Sequence, residues 1–409
     1  ITLFCSKVIG VKMPTLDEVL ISKGGEYAPF DTTRVHRIYK QIAPLCGLDE
    51  YLGKSCKIIH IMGTNGKGST GRFIAMGLAQ NGKRALHFSS PHIFGFNERF
   101  YLATPDSQND ISFSALEAAH QHLWSIESVR EASYFEYATF LALFLAKDYE
   151  YLVLEAGVGG EYDSTSVIGA NTSVYTLIGL DHQEMLGNSI EEIALTKLRA
   201  MSGRVIVAKQ QYEIVEQLAL QMAQQKALQC DVWQMDYKRH LDDDLKGFEK
   251  YIKTYSLPAF LCDNLHTAIR TLAFFGMKFD FSTLKPLSLR GRCEALTPHI
   301  TLDVGHNIDG ARVIREYFRE KRVNLVYNSY LQKDIEAILR TLLPIIKEVL
   351  ILSVEYSRIC PKESLIKTLE ALAIQYEDFD VGQMKENEDY LVFGSFSVVE
   401  TFLQLYKGT

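Results

Sequence analysis

The chain has 409 residues, of which 47% are hydrophobic and 23% charged, with a formal net charge of -7 at pH 7. At roughly 150 residues per domain the length suggests two or three domains, and we expect two. The acidic balance argues against a nucleic-acid partner. The longest strongly apolar stretch, residues 137–146, is shorter than the roughly 20 residues that a membrane helix needs. We therefore predict an enzyme-like globular chain with neither a nucleic-acid partner nor a membrane span.

Cysteine usage and the amino terminus bear on the cellular compartment. The seven cysteines are odd in number, widely spaced and form no C-x-x-C pair, a pattern that indicates reduced thiols and no structural zinc site. Residues 1–11 are apolar but short, and no small-residue cleavage pattern follows them. We predict a cytoplasmic protein, and Met13 stays open as an alternative natural start.

The predicted elements of the first domain alternate between strands and helices. An apolar run at 57–62 predicts a strand, and a helical pattern begins near Thr70 and ends near Asn81. Further along we predict a strand at 85–88, helices at 113–129 and 132–146, and strands at 151–155, 174–178 and 204–208, the last two each followed by a helix. Continuous apolar strands between helices indicate a mostly parallel sheet covered on both faces. Ligands bind such sheets at the carboxyl ends of the strands.

The second half begins with a charged stretch. Residues 235–255, which include Asp242, Asp243 and Asp244, predict a solvated loop or hairpin. A helix at 264–275 and a connector at 282–292 follow, and the elements after it are predicted as strands at 300–304, 323–327, 349–354 and 390–393 and helices at 309–319 and 333–346. We therefore predict a domain at 1–283, a linker at 284–292 and a smaller Rossmann-like α/β domain at 293–409.

A glycine-rich loop between the first strand and the first helix carries the strongest chemical signal. It consists of Gly63, Thr64, Asn65, Gly66, Lys67, Gly68 and Ser69. Glycines let the backbone approach an anion, the free N–H groups at a helix start point towards it, and a lysine adds a cation. The general P-loop has a Gly at the place of Ile61 and a Ser or Thr at the place of Gly68, so this is a variant loop. We predict that it binds the phosphates of a nucleotide, with Ser69 as the magnesium hydroxyl.

Six further segments give the loop a specific context. They are Ser90-Pro91-His92, Phe96-Asn97-Glu98-Arg99, Phe135-Glu136-Tyr137-Ala138-Thr139, Glu155-Ala156-Gly157-Val158-Gly159-Gly160, Leu180-Asp181-His182 and Leu302-Asp303-Val304-Gly305-His306-Asn307. In this order the chain resembles the folylpolyglutamate synthase and dihydrofolate synthase family, a branch of the Mur-type ligases. The resemblance covers about residues 30–400.

The resemblance implies an ATP-dependent amide ligase. A substrate carboxylate takes the γ-phosphoryl group of ATP, and the amine of L-glutamate attacks the acyl phosphate. The implied acceptors are dihydropteroate, a reduced folate or both, and the implied cofactor is Mg²⁺, as two ions. We expect a monomeric bifunctional enzyme; a folylpolyglutamate synthase or a dihydrofolate synthase alone stays open, as does the length of the polyglutamate product.

The resemblance also implies roles for single residues around the nucleotide. Lys67 places its cation on the phosphates, and the implied magnesium ligands are Ser69, Glu155 and His182. Asn264 lies near the adenine, Arg292 contacts a phosphate, Asp303 binds the ribose, and His306 meets the acyl phosphate or the glutamate. Without the family, Glu155 could be a surface carboxylate, and His182 and His306 could be hydrogen-bonded loop histidines.

The remaining implied residues concern the pterin, the glutamate and a modification. Ser90, Asn97, Arg99 and Phe135 are implied to hold the pterin, although Phe135 at helical spacing with Phe140 and Phe144 could instead be core. Ser395 is implied to lie near the glutamate. Lys197 falls where many members of the superfamily have a carbamylated lysine near the second magnesium ion, and a solvent-exposed lysine is the alternative.

Some positions depart from the family pattern. Glu161 replaces an arginine, residues 259–263 replace a Gly-x-His-Gln segment, and Ile308 replaces a proline. Two other functions stay open. A ligase of peptidoglycan precursors would carry an additional domain before the P-loop, whereas only about 55 residues precede it here. A P-loop switch protein would form no amide product.

Overall fold

The computed structural model describes residues 13–24, 31–232 and 245–407. Within these residues the chain forms an eight-stranded and a six-stranded sheet, both mostly parallel and flanked by helices. The predicted α/β class is confirmed. No helix of the described ranges is both long and apolar enough to cross a lipid bilayer.

The first sheet contains the strands of residues 57–231. They are β1 (Lys57–Met62), β2 (Ala85–Phe88), β3 (Phe100–Ala103), β4 (Gln108–Asp110), β5 (Tyr151–Glu155), β6 (Thr172–Tyr175), β7 (Arg204–Val207) and β8 (Cys230–Asp231). Their order is β4-β3-β2-β5-β1-β6-β7-β8, and β3 and β4 are antiparallel to their neighbours. The strand that leads into the glycine loop therefore lies in the middle of the sheet, between β5 and β6.

Helices cover both faces of this sheet. They are α1 (Leu16–Ser22), α2 (Arg34–Cys46), α3 (Leu48–Tyr51), α4 (Lys67–Gln80), α5 (Phe113–Trp124), α6 (Tyr134–Leu145), α7 (Gln183–Leu186), α8 (Ile190–Leu198), α9 (Glu213–Gln225), α10 (Leu245–Thr254) and α11 (Ala259–Ala273). Successive side chains of a strand point to opposite faces. Accordingly, Ile58 packs with the α2, α5 and α6 side, whereas Ile59 packs with α4 and α11. Burial on both faces explains the continuous apolar strands.

The second sheet is built from residues 294–393. Its strands are β9 (Glu294–Thr297), β10 (Ile300–Asp303), β11 (Val323–Tyr327), β12 (Ile346–Ile351), β13 (Tyr376–Asp378) and β14 (Tyr390–Phe393), in the order β13-β12-β11-β14-β10-β9. Its helices are α12 (Ile308–Tyr317), α13 (Ile335–Leu342), α14 (Lys362–Ala371) and α15 (Phe396–Lys407). Only β9, at the edge, runs antiparallel to its neighbour.

Several predicted boundaries were wrong. The helix predicted at 113–129 ends at Trp124 and continues only as a short 3-10 turn, and the helix predicted at 333–346 ends at Leu342. The helix predicted at 264–275 begins at Ala259, five residues earlier. Pro258 caps the start of the helix at 259, and Pro344 follows the helix that ends at Leu342, so these two boundaries carry a local proline signal.

The charged stretch at 235–255 was predicted as a loop. Residues 233–244, including the three aspartates, lie outside the described residues. Residues 245–254, however, form helix α10, in which Phe248 and Tyr251 are buried. Two aromatic side chains three positions apart share one helix face, so burial of that face outweighs the charged composition.

Candidate active site

The two sheets face a common cleft of about 1000 Å³. It lies at the carboxyl ends of β1, β5 and β10, and both halves of the chain contribute to its walls. Of the predicted site residues, the cleft is lined by Gly63, Thr64, Asn65, Gly66, Lys67, Gly68, Ser69, Ser90, Arg99, Phe135, Glu155, His182, Lys197, Asn264, Arg292, Asp303 and His306. The structure therefore brings most of them together.

The glycine loop owes its shape to close backbone contacts. Gly66 precedes α4 with φ of 88°, and a Cβ there would lie 2.5 Å from Oδ1 of Asn264. The N–H groups of Thr64 and Asn65 donate to the carbonyl of Leu177 at 2.8 and 3.1 Å. A positive φ and tight surroundings both require glycine at position 66. The loop is thus fixed between β1 and the segment after β6.

Lys67 and Ser69 stand at the start of α4. Nζ of Lys67 lies 3.3 Å from the carbonyl of Gly63, and Oγ of Ser69 accepts a hydrogen bond from Nδ2 of Asn264 at 2.7 Å. Asn264 comes from α11, which packs beside α4. The structure places Asn264 directly against the loop. A helix amino terminus with a lysine and a hydroxyl can bind a phosphate.

Glu155 ends β5 and faces the start of α4. It is 3% exposed, and its Oε2 has no hydrogen-bond partner among the described residues. Oε2 lies 3.4 Å from where a Cβ on Gly68 would stand. Burial raises the pKa of Glu155, while the charges of Lys67 and Arg292 oppose that shift. Glu155 is therefore not a surface carboxylate.

Arg292 and Asp303 approach the same place from the second sheet. Nη2 of Arg292 lies 3.8 Å from where a Cβ on Gly68 would stand. Asp303, at the end of β10, accepts hydrogen bonds from the N–H groups of Gly305 at 2.7 Å and Cys293 at 2.9 Å. Burial lowers the pKa of Arg292 and raises that of Asp303. The second half of the chain thus contributes a cation beside the glycine loop.

Asp181 joins the two halves through charge. Its carboxylate pairs closely with Lys333, lies 3.6 Å from Nε2 of His306, and accepts a hydrogen bond from Nδ2 of Asn307 at 3.1 Å. Burial would raise the pKa of Asp181, but the neighbouring side chains of His306, Lys333 and His182 hold it well below its usual range. His306 also lies 3.1 Å, through Nδ1, from the carbonyl of Val304. The carboxylate therefore orients His306 across the cleft.

His182 has left-handed backbone, with φ of 51°, and precedes α7. Burial lowers the pKa of its imidazole to about 4, although Asp181 opposes the shift. The ring is therefore neutral at pH 7, the form in which an imidazole can ligate a metal ion. Its Nδ1 lies 3.8 Å from Oε1 of Glu184, too far for a hydrogen bond.

Lys197 is buried at the end of α8, with 3% exposure, so the interpretation as a solvent-exposed lysine was wrong. Its Nζ donates to the carbonyl of Gly63 at 3.1 Å. Burial, followed by the nearby charge of Lys67, lowers the pKa of Lys197 to about 7. Gly160 lets this helix approach, because a Cβ there would lie 2.6 Å from the carbonyl oxygen of Lys197.

The wall predicted to hold the pterin contains Ser90, Arg99 and Phe135. Nε of Arg99 lies 2.8 Å from Nδ1 of His92, and its guanidinium stacks near Tyr134 at 5.4 Å. Phe135 both lines the cleft and packs on the core, and a Cβ on Gly157 would lie 2.7 Å from its ring. Phe135 therefore lines the cleft and packs against the core at the same time.

Two predicted substrate contacts do not face the cleft. Nδ2 of Asn97 donates to the carbonyl of Ile111 at 3.1 Å. Ser395 is completely buried, and its Oγ accepts from the N–H of Val398 at 3.2 Å at the start of α15. Neither residue is among the described side chains that line the cleft. Their positions indicate roles in shaping the loop and the helix rather than in touching a ligand.

Sequence reasoning missed several cleft residues. Lys333, Tyr330 and Arg358 line the cleft wall on the side of the second sheet, and Arg34, which pairs with Glu136 at 2.7 Å, lines the wall on the side of the first. Lys333 and Arg358 lie in loops whose local pattern resembles any polar surface loop. Only the buried Lys333–Asp181 pair distinguishes this lysine, and the sequence gives no sign of a contact between residues 152 positions apart.

The residues present fit a magnesium ion. Glu155 offers an unpaired buried oxygen, Ser69 a hydroxyl and His182 a neutral imidazole beside the phosphate-binding loop. Magnesium binds through few protein ligands and keeps several waters, so one carboxylate suffices. Nowhere in the described part of the chain, this cleft included, does a group of three or more His, Cys, Asp or Glu side chains stand where it could hold a metal ion.

Comparisons with known proteins identify relatives of the chain. No protein-family model matches the sequence. The chain is 40% identical to the folylpolyglutamate synthetase of Helicobacter pylori, over 96% of this chain and 98% of that one, with a TM-score of 0.75. It is 26% identical over 372 residues to the dihydrofolate synthase/folylpolyglutamate synthase of Escherichia coli, covering 85% and 86% of the two chains. The bifunctional enzyme of Yersinia pestis, solved with AMPPNP and a manganese ion, shares the fold at 22% identity, covering 96% of this chain and 98% of that one, with a TM-score of 0.79.

Proposed function

The chain belongs to the folylpolyglutamate synthase and dihydrofolate synthase family of ATP-dependent ligases, and we propose that it joins L-glutamate to both dihydropteroate and a reduced folate. The observation that carries the proposal is the cleft between the sheets, in which Lys67 and Arg292 flank the unpaired buried oxygen of Glu155. Bifunctionality is supported by the names of curated bacterial relatives, such as the E. coli protein. A single ligase activity is the alternative.

The first task of the site is to bring two anions together. The ATP triphosphate and the acceptor carboxylate repel each other, and phosphoryl transfer depends on charges that offset this repulsion. Lys67, the amino terminus of α4 and the planar donor fork of Arg292 would bind the phosphate oxygens. Asn264 would then lie near the adenine and Asp303 at the ribose hydroxyls.

Magnesium would be held by Ser69, Glu155 and His182, with a second ion near a carbamate on Lys197. When bound, the ions neutralise phosphate charge and polarise the γ-phosphoryl group. The manganese ion in the Yersinia pestis structure supports a divalent metal in this fold.

The proposed reaction has two steps, phosphoryl transfer and amide formation. An acceptor carboxylate oxygen attacks the γ-phosphorus, the bond to the β,γ-bridging oxygen breaks, and ADP leaves. The amine nitrogen of L-glutamate then attacks the acyl carbon, the C–O bond to phosphate breaks, and an amide and inorganic phosphate form. His306, oriented by Asp181, is placed to accept the amine proton.

The cleft walls would bind the pterin and exclude water. Ser90, Arg99 and Phe135 would hold the flat pterin ring, with Phe135 offering an aromatic face. Closure of the two halves would exclude water from the acyl phosphate, which otherwise hydrolyses. We keep the division into domains at 1–283 and 293–409, joined by 284–292, as part of this proposal.

The test is a phosphate-release assay with Mg²⁺, ATP and L-glutamate, run with dihydropteroate, with tetrahydrofolate and with no acceptor, and followed by mass analysis of the products. Glutamate addition to both acceptors is expected. Lys67→Ala should abolish it, whereas Lys83→Ala, which removes an exposed lysine paired with Glu150, should not. Addition to one acceptor would reduce the proposal to a monofunctional ligase. ATP binding without an amide product would favour a P-loop switch protein.

A further inference from the structure

Arg72 lies in the second turn of α4, the helix that follows the glycine loop, and is unusually enclosed. It is 2% exposed, whereas arginines are almost never fully buried unless they are paired. Among the described residues it forms no ion pair. Instead its guanidinium carbon stacks 3.6 Å from the ring centroid of Tyr101, and its Nε donates to Nδ1 of His87 at 3.3 Å.

The most informative contact of Arg72 is with the linker. Its Nη1 donates to the carbonyl of Ser288 at 2.5 Å and lies 3.3 Å from the hydroxyl of the same residue. The Ser288 hydroxyl also lies 3.2 Å from the hydroxyl of Tyr101. The first domain therefore holds the linker at one point through a buried, planar donor group.

The second domain holds the linker three residues further on. The N–H of Gly291 donates to Oε2 of Glu294 at 2.8 Å, and the carbonyl of Gly291 accepts from the N–H of Val304 at 3.0 Å. Gly291 has φ of 66°, and a Cβ there would lie 2.6 Å from the Val304 side chain. The short stretch between Ser288 and Gly291 is thus fixed to a different domain at each end.

This stretch delivers two side chains to the start of α4. Cδ2 of Leu289 and Nη2 of Arg292 lie 3.3 and 3.8 Å from where a Cβ on Gly68 would stand. Arg72 and Lys67 belong to the same rigid helix, so an anchor at Arg72 sets the distance between Lys67 and the linker. Since Arg292 is the last residue of the linker, that anchor also sets the distance between the two phosphate-binding cations.

We propose that Arg72 is a positioning residue for nucleotide binding, which anchors the linker at Ser288 so that Arg292 reaches the phosphates held by Lys67. The inference rests on the proposed function, because the ligand of Arg292 is taken to be the ATP triphosphate. A purely structural role is the competing explanation, since a buried arginine also contributes to folding.

A double-mutant cycle separates the two explanations. Loss of a charge-assisted phosphate contact should raise the KM for ATP roughly tenfold or more in both Arg72→Gln and Arg292→Gln. If Arg72 acts through Arg292, the double variant should be no worse than Arg292→Gln alone. If the rise in the KM for ATP in the double variant equals the product of the rises in the two single variants, the proposal is overturned.

The matched control is Arg270→Gln. Arg270 is also buried, at 3% exposure, and donates to the carbonyls of Val207 and Asp231, away from the linker. Within the described residues, and unlike Arg72, it also forms an ion pair, with the Asp231 carboxylate at 2.9 Å. It should lower thermal stability as much as Arg72→Gln does but leave the KM for ATP unchanged. An equal rise in KM in both variants would overturn the proposal. Arg72→Lys, which keeps the charge but loses the stacked fork, replaces Arg72→Gln in the cycle if the latter does not fold.

The positioning role of Arg72 and the proposed ligase function can be contradicted separately. Binding of magnesium-AMPPNP, measured by calorimetry on the same four proteins, tests the coupling of Arg72 to Arg292 without any turnover. Coupled losses of affinity would support the positioning role even if no glutamate product were formed, an outcome that would contradict the proposed function alone. Independent losses of affinity in an active ligase would contradict the positioning role alone.

Discussion

Lys197 should react with carbon dioxide at neutral pH, because its amine is buried beside another cation. The neutral amine attacks the carbon of CO₂, a N–C bond forms, and one proton leaves to give a carbamate anion. Burial and the charge of Lys67 lower its pKa from 10.5 to about 7. Burial, the larger cause, disfavours any charged form of this side chain, whereas the charge of Lys67 favours a group that carries negative charge beside it.

The expected increase in the rate of CO₂ uptake follows from the pKa of Lys197. At pH 7 about half of the Lys197 amine is uncharged, whereas a lysine with the ordinary pKa has about one uncharged amine in 3000. Since only the uncharged amine reacts, Lys197 should take up CO₂ on the order of a thousand times faster than an exposed lysine. This ratio predicts that Lys197 is modified in preference to lysines of ordinary pKa at low bicarbonate concentration.

The assay uses isotopically labelled bicarbonate, followed by alkyl trapping of the carbamate and peptide mass analysis. Label should appear on Lys197 and be absent from Lys226, a lysine of the same domain that donates to the carbonyls of Arg199 and Met201. Lys197→Ala should lose most ligase activity, and a short-chain carboxylic acid should restore part of it. Lys226→Ala should keep full activity.

Two results would refute the prediction. One is the absence of label on Lys197 across pH 7 to 9, which would mean that the amine is not available as a nucleophile. The other is full activity of Lys197→Ala in carbonate-free buffer. Either result would assign Lys197 only the hydrogen bond that it makes to the carbonyl of Gly63.

Three further outcomes are expected. The pKa of Lys197 in the folded state lies below its unfolded value, so the unfolded chain binds more protons between about pH 7 and 10.5, and the free energy of unfolding should rise with pH across that window. Lys197→Met should therefore be more stable than the parent protein at pH 7, by up to about 4 kcal/mol in denaturant titrations. The difference between the two proteins should vanish towards pH 10.5. Glu155→Gln should keep or raise thermal stability, because burial already penalises the charged carboxylate, but should lower magnesium-dependent ATP turnover roughly 100-fold; a proportional loss of folding would contradict this. Asp181→Asn removes the charged partner of the buried Lys333 and should weaken the contact between the domains by about 3 kcal/mol, seen as a larger radius of gyration in solution scattering; an unchanged radius would contradict it.

The part of the fold that the sequence predicts best is the buried centre. Strands β1, β5 and β14 appear as apolar runs because both of their faces are covered, and their bounds match the prediction. The glycine loop is equally visible, because its backbone conformation restricts the residue types that can occupy it. Local constraints of this kind leave a local pattern.

Edge strands and polar helices leave a weaker pattern. Strands β3 and β4 were not predicted, since they are short and β4 is mostly polar and partly exposed. Helix α10 was predicted as loop, because its two buried aromatic residues stand among charged ones. In both cases the stabilising contacts come from neighbours far along the chain.

The residues of the candidate site likewise differ in how well the sequence predicts them. Residues that terminate a strand or open a helix, such as Glu155, Asp303 and Lys67, can be predicted from their place in an element. Lys333 and Arg72 cannot, because their importance lies in partners that are 152 and 216 positions away. A single sequence contains no record of which polar loop residue meets which partner.

The Asp181 network indicates how closure of the cleft depends on pH. Asp181 precedes the connector at 284–292, whereas two of the groups that lower its pKa, His306 and Lys333, follow it. Separation of the domains would remove those partners, so the ionised carboxylate favours the closed arrangement by linkage. Since its pKa in the closed form lies far below neutrality, protonation of Asp181 cannot open the cleft near pH 7. Closure should instead respond to salt only weakly, because the Asp181–Lys333 pair is buried and therefore poorly screened.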